Sequence, residues 1–154
     1  MPRGKTISIV DMVAEQEALD HRDTELGEIA MHYPGLGPNN SLATQAWVSL
    51  ILMKPGRKTT FHIHPQNDEF FFVISGDGVV RERDGERVLE HAIGPNTLIV
   101  APMGQAKQLE NTGDAMMRLI QVYAPPPAAL SLEHIVENEE ISVHIEGSGR
   151  LVRG

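Results

Sequence analysis

Two histidines one residue apart, with a glutamate five positions further on, are the side chains of this sequence best placed to do chemistry. The stretch reads Phe61-His62-Ile63-His64-Pro65-Gln66-Asn67-Asp68-Glu69. In an extended strand, residues i and i+2 point to the same face. His62 and His64 therefore present two imidazoles side by side, while Phe61 and Ile63 point the other way. Residues 65–68 can turn the chain and return Glu69 on an adjoining strand. Two imidazoles and one carboxylate on a rigid sheet form a facial set suited to Fe(II), Mn(II), Ni(II) or Zn(II).

The elements around this set are short apolar runs separated by turn residues. Residues 46–53 end at Pro55-Gly56, 59–64 at Pro65, 69–75 at Gly76-Asp77-Gly78, and 79–83 at Asp84-Gly85. Asp84-Gly85 is a two-residue signal for a type I′ hairpin. Further runs follow at 87–92, 97–101, 107–110 and 116–123, and the series stops at Pro125-Pro126-Pro127. Proline cannot donate to a strand ladder. Such spacing predicts an antiparallel sandwich or barrel, an all-β fold. Helix is expected over 12–19, with Asp11 as N-cap, and over 129–136. Residues 141–145 predict one more strand, and the end after it reads as a mobile tail.

Composition narrows the function classes. The chain has 154 residues, enough for one domain with its own core. It has no cysteine, which excludes disulfides, thiolate metal sites and a cysteine nucleophile. Thirteen Lys and Arg stand against 21 Asp and Glu, a net charge of -8. That balance argues against nucleic-acid and anionic-membrane partners. The N-terminus does not read as a signal peptide, and the longest apolar run is too short to span a bilayer. A cytoplasmic protein is expected.

The full pattern around the histidines, Gly56-x5-His62-x-His64-x4-Glu69-x6-Gly76, resembles the first motif of the cupin superfamily at every fixed position. A second stretch, Asn96-x5-Pro102-x-Gly104-x2-Lys107-x3-Asn111, resembles the second motif with two departures. Asn96 stands where that motif opens on glycine, and asparagine also tolerates a left-handed turn. Lys107 stands where the motif has a fourth metal-binding histidine. The resemblance implies a double-stranded β-helix, the cupin jelly roll, with one or two short helices. It places motif one at 56–76 and motif two at 96–111 in a barrel core over 41–127. An N-terminal arm over 1–40 and a C-terminal helix, strand and tail over 128–154 would flank it.

The resemblance also implies a divalent transition metal (Fe, Mn, Ni or Zn) on His62, His64 and Glu69, and a small-molecule substrate. Lys107 admits three roles. As an ammonium beside a metal it would stabilise an anionic substrate or oxyanion, as a catalytic group. It could instead replace the metal by neutralising Glu69, leaving the histidines as a hydrogen-bonded relic. Desolvated and neutral, it could act as a base or form a Schiff base. The first role leads to a metal-dependent enzyme, an oxygenase such as a dioxygenase before an isomerase, lyase or cyclase. The second leads to a non-catalytic binding or sensing protein with Lys107 as its anion hook.

Weaker signals read as structure. His21, His32, His91, His134 and His144 are isolated, and His32 beside Tyr33 is the best placed of them to edge a pocket. Gln105 reads as a turn residue with local hydrogen bonds. Trp47 reads as core. Gln121 and Tyr123 share a face, but the sequence leaves open which face that is. The hairpin Arg81-Glu82-Arg83-Asp84-Gly85-Glu86-Arg87 reads as solvated charge. Phe71 and Val73 share the parity of Glu69. Phe70, Phe72 and Ile74 fall with Phe61 and Ile63 on an apolar opposite face, which a second sheet, the N-terminal segment or a homodimer partner must cover.

Overall fold

The computed structural model of the chain describes residues 9–15, 31–38, 41, 43–126, 132–136, 141–145 and 151–153. These form one short helix, α1 (Met12–Glu15), and twelve strands. The strands are β1 (Met31–Leu36), β2 (Trp47–Met53), β3 (His62–Ile63), β4 (Asp68–Ser75), β5 (Gly78–Asp84) and β6 (Arg87–Ile93). They continue as β7 (Leu98–Ala101), β8 (Lys107–Glu110), β9 (Met117–Ala124), β10 (Leu132–Val136), β11 (Ile141–Ile145) and β12 (Leu151–Arg153). One sheet has the order β1-β2-β9-β4-β7, the other β12-β11-β10-β3-β8-β5-β6, with every pairing antiparallel. This is the expected all-β double sheet.

Alternation along the strands builds the interior. In β9, Met117, Leu119, Gln121 and Tyr123 are buried, and the residues between them are not. Ile51, Met53, Phe71, Val73, Val80, Ile93, Leu109, Met117 and Leu119 form one apolar cluster between the sheets. Burying this set supplies the main driving force for closure. The cluster fills one end of the barrel. His62, His64, Glu69 and Lys107 of the two motifs occupy the other.

The motif glycines and asparagines act through backbone geometry. Gly56, Gly76 and Gly104 have φ of 76°, 91° and 82°, the left-handed region that glycine tolerates best. Asn96 takes the same conformation at 69°, as its place in motif two requires. Asn111 is fully buried, and its amide donates to the Met53 and Ala115 carbonyls, both at 2.8 Å. It thereby ties the β8–β9 connection to the end of β2.

Several expectations are corrected. Histidines and glutamate do not lie on adjoining strands, because β3 and β4 belong to opposite sheets and residues 65–67 carry the chain from one to the other. Phe61 and Ile63 therefore do not share a face with Phe70, Phe72 and Ile74. The two-residue hairpin loop is Gly85-Glu86, closed by the Asp84–Arg87 pair. Only its first residue has positive φ, 61°, the type II′ pattern rather than I′. Within the expected helix over 129–136, residues 132–136 are instead β10, paired to β3 and β11. The free edge of β3 supplies hydrogen-bond partners that outweigh a weak helical spacing, and Ile135 and Val136 are β-branched. Residues 151–153 of the tail pair with β11 as a strand. Asp11 does cap α1, accepting from the amides of Val13 and Ala14 at 3.1 and 3.0 Å. Residues 16–19 of that expected helix, and His21, lie outside the described residues, as do the side chains of His32, His134 and His144.

Two glycines give a contrast in strain. A Cβ on Gly76 would sit 2.7 Å from Met117 Cα, on a residue with φ of 91°. A Cβ on Gly85 meets nothing within 4 Å, so only its φ of 61° opposes the change. Gly76→Ala is expected to cost about 3 kcal/mol and Gly85→Ala about 1 kcal/mol, read as shifts in the urea unfolding midpoint.

Candidate metal centre

Strand register brings two rows of residues face to face. On the five-stranded sheet, Trp47 pairs with Tyr123, Tyr123 with Glu69, and Glu69 with Ala101. On the seven-stranded sheet, His62 pairs with Lys107, and Lys107 with Glu82. Directly opposed residues share a face of their sheet. The inward direction of His62 therefore fixes that of Lys107. His62, His64, Glu69 and Lys107 are all buried, with Glu69 at 0% exposure and Lys107 at 3%. A lysine this deep must be paired.

Its partner is Glu69. Lys107 Nζ lies 2.8 Å from Glu69 Oε1. The contact is an ion pair rather than an aligned hydrogen bond. The other oxygen, Oε2, accepts from Gln121 Nε2 at 2.7 Å and lies 3.2 Å from His64 Nε2. Gln121 also donates to Tyr123 Oη at 2.8 Å, and its own carbonyl accepts from Ser49 Oγ at 2.8 Å. Tyr123 stacks at a tilt between His64, at 4.9 Å, and Trp47, at 5.2 Å. The face that the sequence left open for Gln121 and Tyr123 is thus the inner one. Their register with Phe71 and Glu69 decides it, which no single-strand pattern reveals. Trp47 packs in this wall, and Gln105 Nε2 donates to the carbonyls of Arg83 and Ala106 at 2.9 and 3.1 Å.

The electrostatics favour neutral imidazoles and an ionised carboxylate. Burial pushes His62 down from 6.5 to about 3, and the Lys107 ammonium and His64 push the same way. Burial likewise lowers His64, against the attraction of Glu69. For Glu69, burial acts upward, but His64, Lys107 and His62 outweigh it and hold the carboxyl well below its ordinary value. Burial and Glu69 push the Tyr123 phenol well up, so it stays protonated.

These residues fit a metal. The donor atoms of His62, His64 and Glu69 lie within 4.8 Å of one another, and all three residues are buried. Metal binding needs neutral imidazole and ionised carboxylate, the states this environment favours. His62 Nδ1 lies 2.9 Å from the Thr60 carbonyl, a contact that orients the ring and makes Nε2 its candidate ligand atom. The position expected for a fourth imidazole holds the Lys107 ammonium instead.

A family model described as a cupin domain matches residues 49–123, a span that holds every residue of this site. The chain is a cupin. This cupin is similar to the tetracenomycin polyketide synthase protein TcmJ of Streptomyces glaucescens, 29% identical over 100 residues. The match covers 65% of this chain and 64% of TcmJ, so the chain spans less than two thirds of that relative. Among solved structures it resembles a cupin sugar phosphate isomerase from Silicibacter pomeroyi, with a TM-score of 0.64, 21% identity, and coverage of 94% of this chain and 92% of that one. It also resembles the oxalate decarboxylase of Lactobacillus farciminis, with a TM-score of 0.66, 16% identity, and coverage of 82% of this chain and 35% of that one. These two likenesses are of fold. Among the described residues no helix is long and apolar enough to cross a membrane.

The depressed His62 value makes stability depend on pH. Between about 6.5 and 3 the unfolded chain binds a proton on His62 that the folded chain refuses. Its contribution is complete above pH 6.5 and is lost as pH falls. With chelator present, stability from urea unfolding should drop between pH 7 and pH 5 by about 2 kcal/mol more in the wild type than in His62→Asn. Equal losses in the two proteins would show that His62 titrates normally.

Proposed function

We propose that this cupin is a metal-dependent enzyme acting on a small anionic organic molecule. The observation that carries the reading is the buried His62, His64 and Glu69 set with the Lys107 ammonium beside its carboxylate. A divalent metal held there supplies Lewis-acid polarisation of a substrate oxygen or, if redox-active, activation of dioxygen. Three protein ligands leave several coordination positions open, and for that reason we place oxygenase chemistry before isomerase, lyase or cyclase chemistry.

The protein's own groups set the rest. Gln121 and Ser49 form a chain of hydrogen bonds that holds Glu69 Oε2 in one orientation. Tyr123 packs on the His64 ring and limits its rotation. Glu69 and Lys107 together carry no net charge, so a dication raises the site to +2 and draws in an anion. Lys107 is then free to turn its ammonium from Glu69 toward substrate and stabilise negative charge that grows there. The Schiff-base role fits less well, because the amine is engaged by the buried Glu69 carboxylate at 2.8 Å.

The same ion pair supports a second reading. Lys107 already neutralises Glu69, the task a metal would otherwise perform, and the site would then serve a non-catalytic binding protein. A homodimer accords with either reading. Phe72, Ile74, Leu98 and Val100, on the outer face of β4 and β7, are 38%, 38%, 61% and 56% exposed. Phe72 pairs directly with Leu98 and Phe70 with Val100, making a continuous apolar patch. We also place the protein in the cytoplasm.

Elemental analysis separates the two readings. The enzyme reading expects near-stoichiometric Fe, Mn, Ni or Zn in protein purified without added metal, lost in His62→Ala. A wild-type site that is empty and refuses added metal supports the binding reading. In Lys107→His, unchanged occupancy with loss of activity on acidic substrates would place the lysine on the substrate. A marked rise in occupancy would show that the lysine displaces a ligand.

A further inference from the structure

A cavity of about 260 Å³ lies where the two sheets end, between β6 and β7. Its walls come from β5 and β6 on one side and β7 on the other. Val80, Ile93, Ile99 and Ala101 make it mostly apolar. Lys107 lines it too, but none of the three metal-binding candidates does. Lys107 is thus the shared boundary between the metal centre and this cavity.

Two further polar groups face the cavity, Glu82 and His91. Glu82 is the cross-strand partner of Lys107, and His91 is that of buried Val80, so both stand on the inner face of their sheet. They pair with each other at 3.2 Å, with side chains 41% and 53% exposed. A pair this exposed adds little to stability. The outward residues of the same hairpin have structural partners: Arg81 holds Glu90 and Glu110, and Arg83 covers the Phe61 ring. Glu82 and His91 are instead acceptors and donors turned toward an apolar cavity, with a cation at its floor.

We propose that this cavity is the substrate's specificity pocket and that it takes a single-ring hydroxylated carboxylic acid. The inference rests on the anionic-substrate reading above and adds to it the body and far end of the substrate. The carboxylate meets Lys107, the ring fills the apolar walls, and a hydroxyl donates to Glu82 beside His91. Size sets the single ring. Strand β5 lies between β8 and β6, and the Glu82 carboxylate reaches to 3.2 Å from His91 on β6, a strand about 10 Å from that of Lys107, room for one six-membered ring. The volume also lies below the roughly 300–1,000 Å³ of pockets that hold larger ligands. Glu82 and His91 here are specificity residues, not catalytic ones.

Calorimetric titration with 4-hydroxybenzoate and benzoate tests this on the purified protein. The wild type should bind 4-hydroxybenzoate about tenfold more tightly, the worth of one hydrogen bond to a charged group. Glu82→Ala should abolish that preference and leave benzoate binding within about twofold, and Lys107→Met should weaken both ligands at least tenfold. His91→Gln serves as a second variant and should reduce the preference in part, while thermal melts check that each variant keeps its fold. Equal affinity of the two ligands in the wild type, a preference that survives Glu82→Ala, or no binding of either would overturn the proposal. Metal content is measured on the same samples. A protein that holds metal but lacks the preference loses only this inference, and one that shows the preference without metal loses only the enzyme reading.

Discussion

A carboxylate with no exposure at all is the constraint around which this barrel is organised. Removing an ionised glutamate from water is costly unless charges and hydrogen bonds compensate it. Glu69 is compensated by the Lys107 ammonium at one oxygen, an ion pair without an aligned hydrogen bond, and by Gln121 and His64 at the other. Each of these partners comes from a different strand or loop, so the charge of one side chain ties both sheets together at the polar end. The same ion pair explains the neutral histidines. With one ammonium already in place, a second positive charge on His62 would face both burial and repulsion, and its imidazole is held down accordingly.

The barrel divides its interior in two. Apolar residues of β2, β4, β5, β6, β8 and β9 fill one end, and the polar network fills the other. The division follows from register rather than from any local propensity. On β4, moving two residues from Glu69 to Phe71 and again to Val73 steps from the polar row into the core, always on the same face. On β9 the same step runs from Tyr123 through Gln121 to Leu119. A register slip of one residue would turn Glu69 to the outside and carry Phe70 inward, which the buried charge network opposes as strongly as the core does.

Much of this was legible in the sequence because it depends on short spacings. His62, His64 and Glu69 sit within eight consecutive residues, and the strand period alone puts the two imidazoles on one face. The turns around Gly56, Gly76, Asn96 and Gly104 were marked by residue types that accept positive φ. Apart from the type of the Gly85-Glu86 turn, what failed were statements about elements far apart in the chain. That β3 and β4 lie in opposite sheets depends on pairings with β8, β9 and β10, which local pattern does not encode. Residues 132–136 were misread for the same reason, since the edge of β3 that captures them is about seventy positions upstream. The charged hairpin read as solvated surface, and its residues from Gly85 to Arg87 are exposed while Arg81, Glu82 and Arg83 are half-buried.

The lysine at the fourth-ligand position changes what the site asks of its substrate. A fourth imidazole would occupy a coordination position and leave the local charge unaltered. An ammonium adds a positive charge and coordinates nothing while protonated. The cation is held off a metal only as long as Glu69, or a ligand anion, lies between them. An anionic substrate fills that place, relieves the repulsion, and keeps its negative end beside Lys107 while its body extends away from the metal centre. The cavity on the far side of Lys107 provides for such a body, with apolar walls and Glu82 at its rim. Binding of the anion and binding of the metal should therefore reinforce each other, because each offsets the unbalanced charge that the other leaves behind.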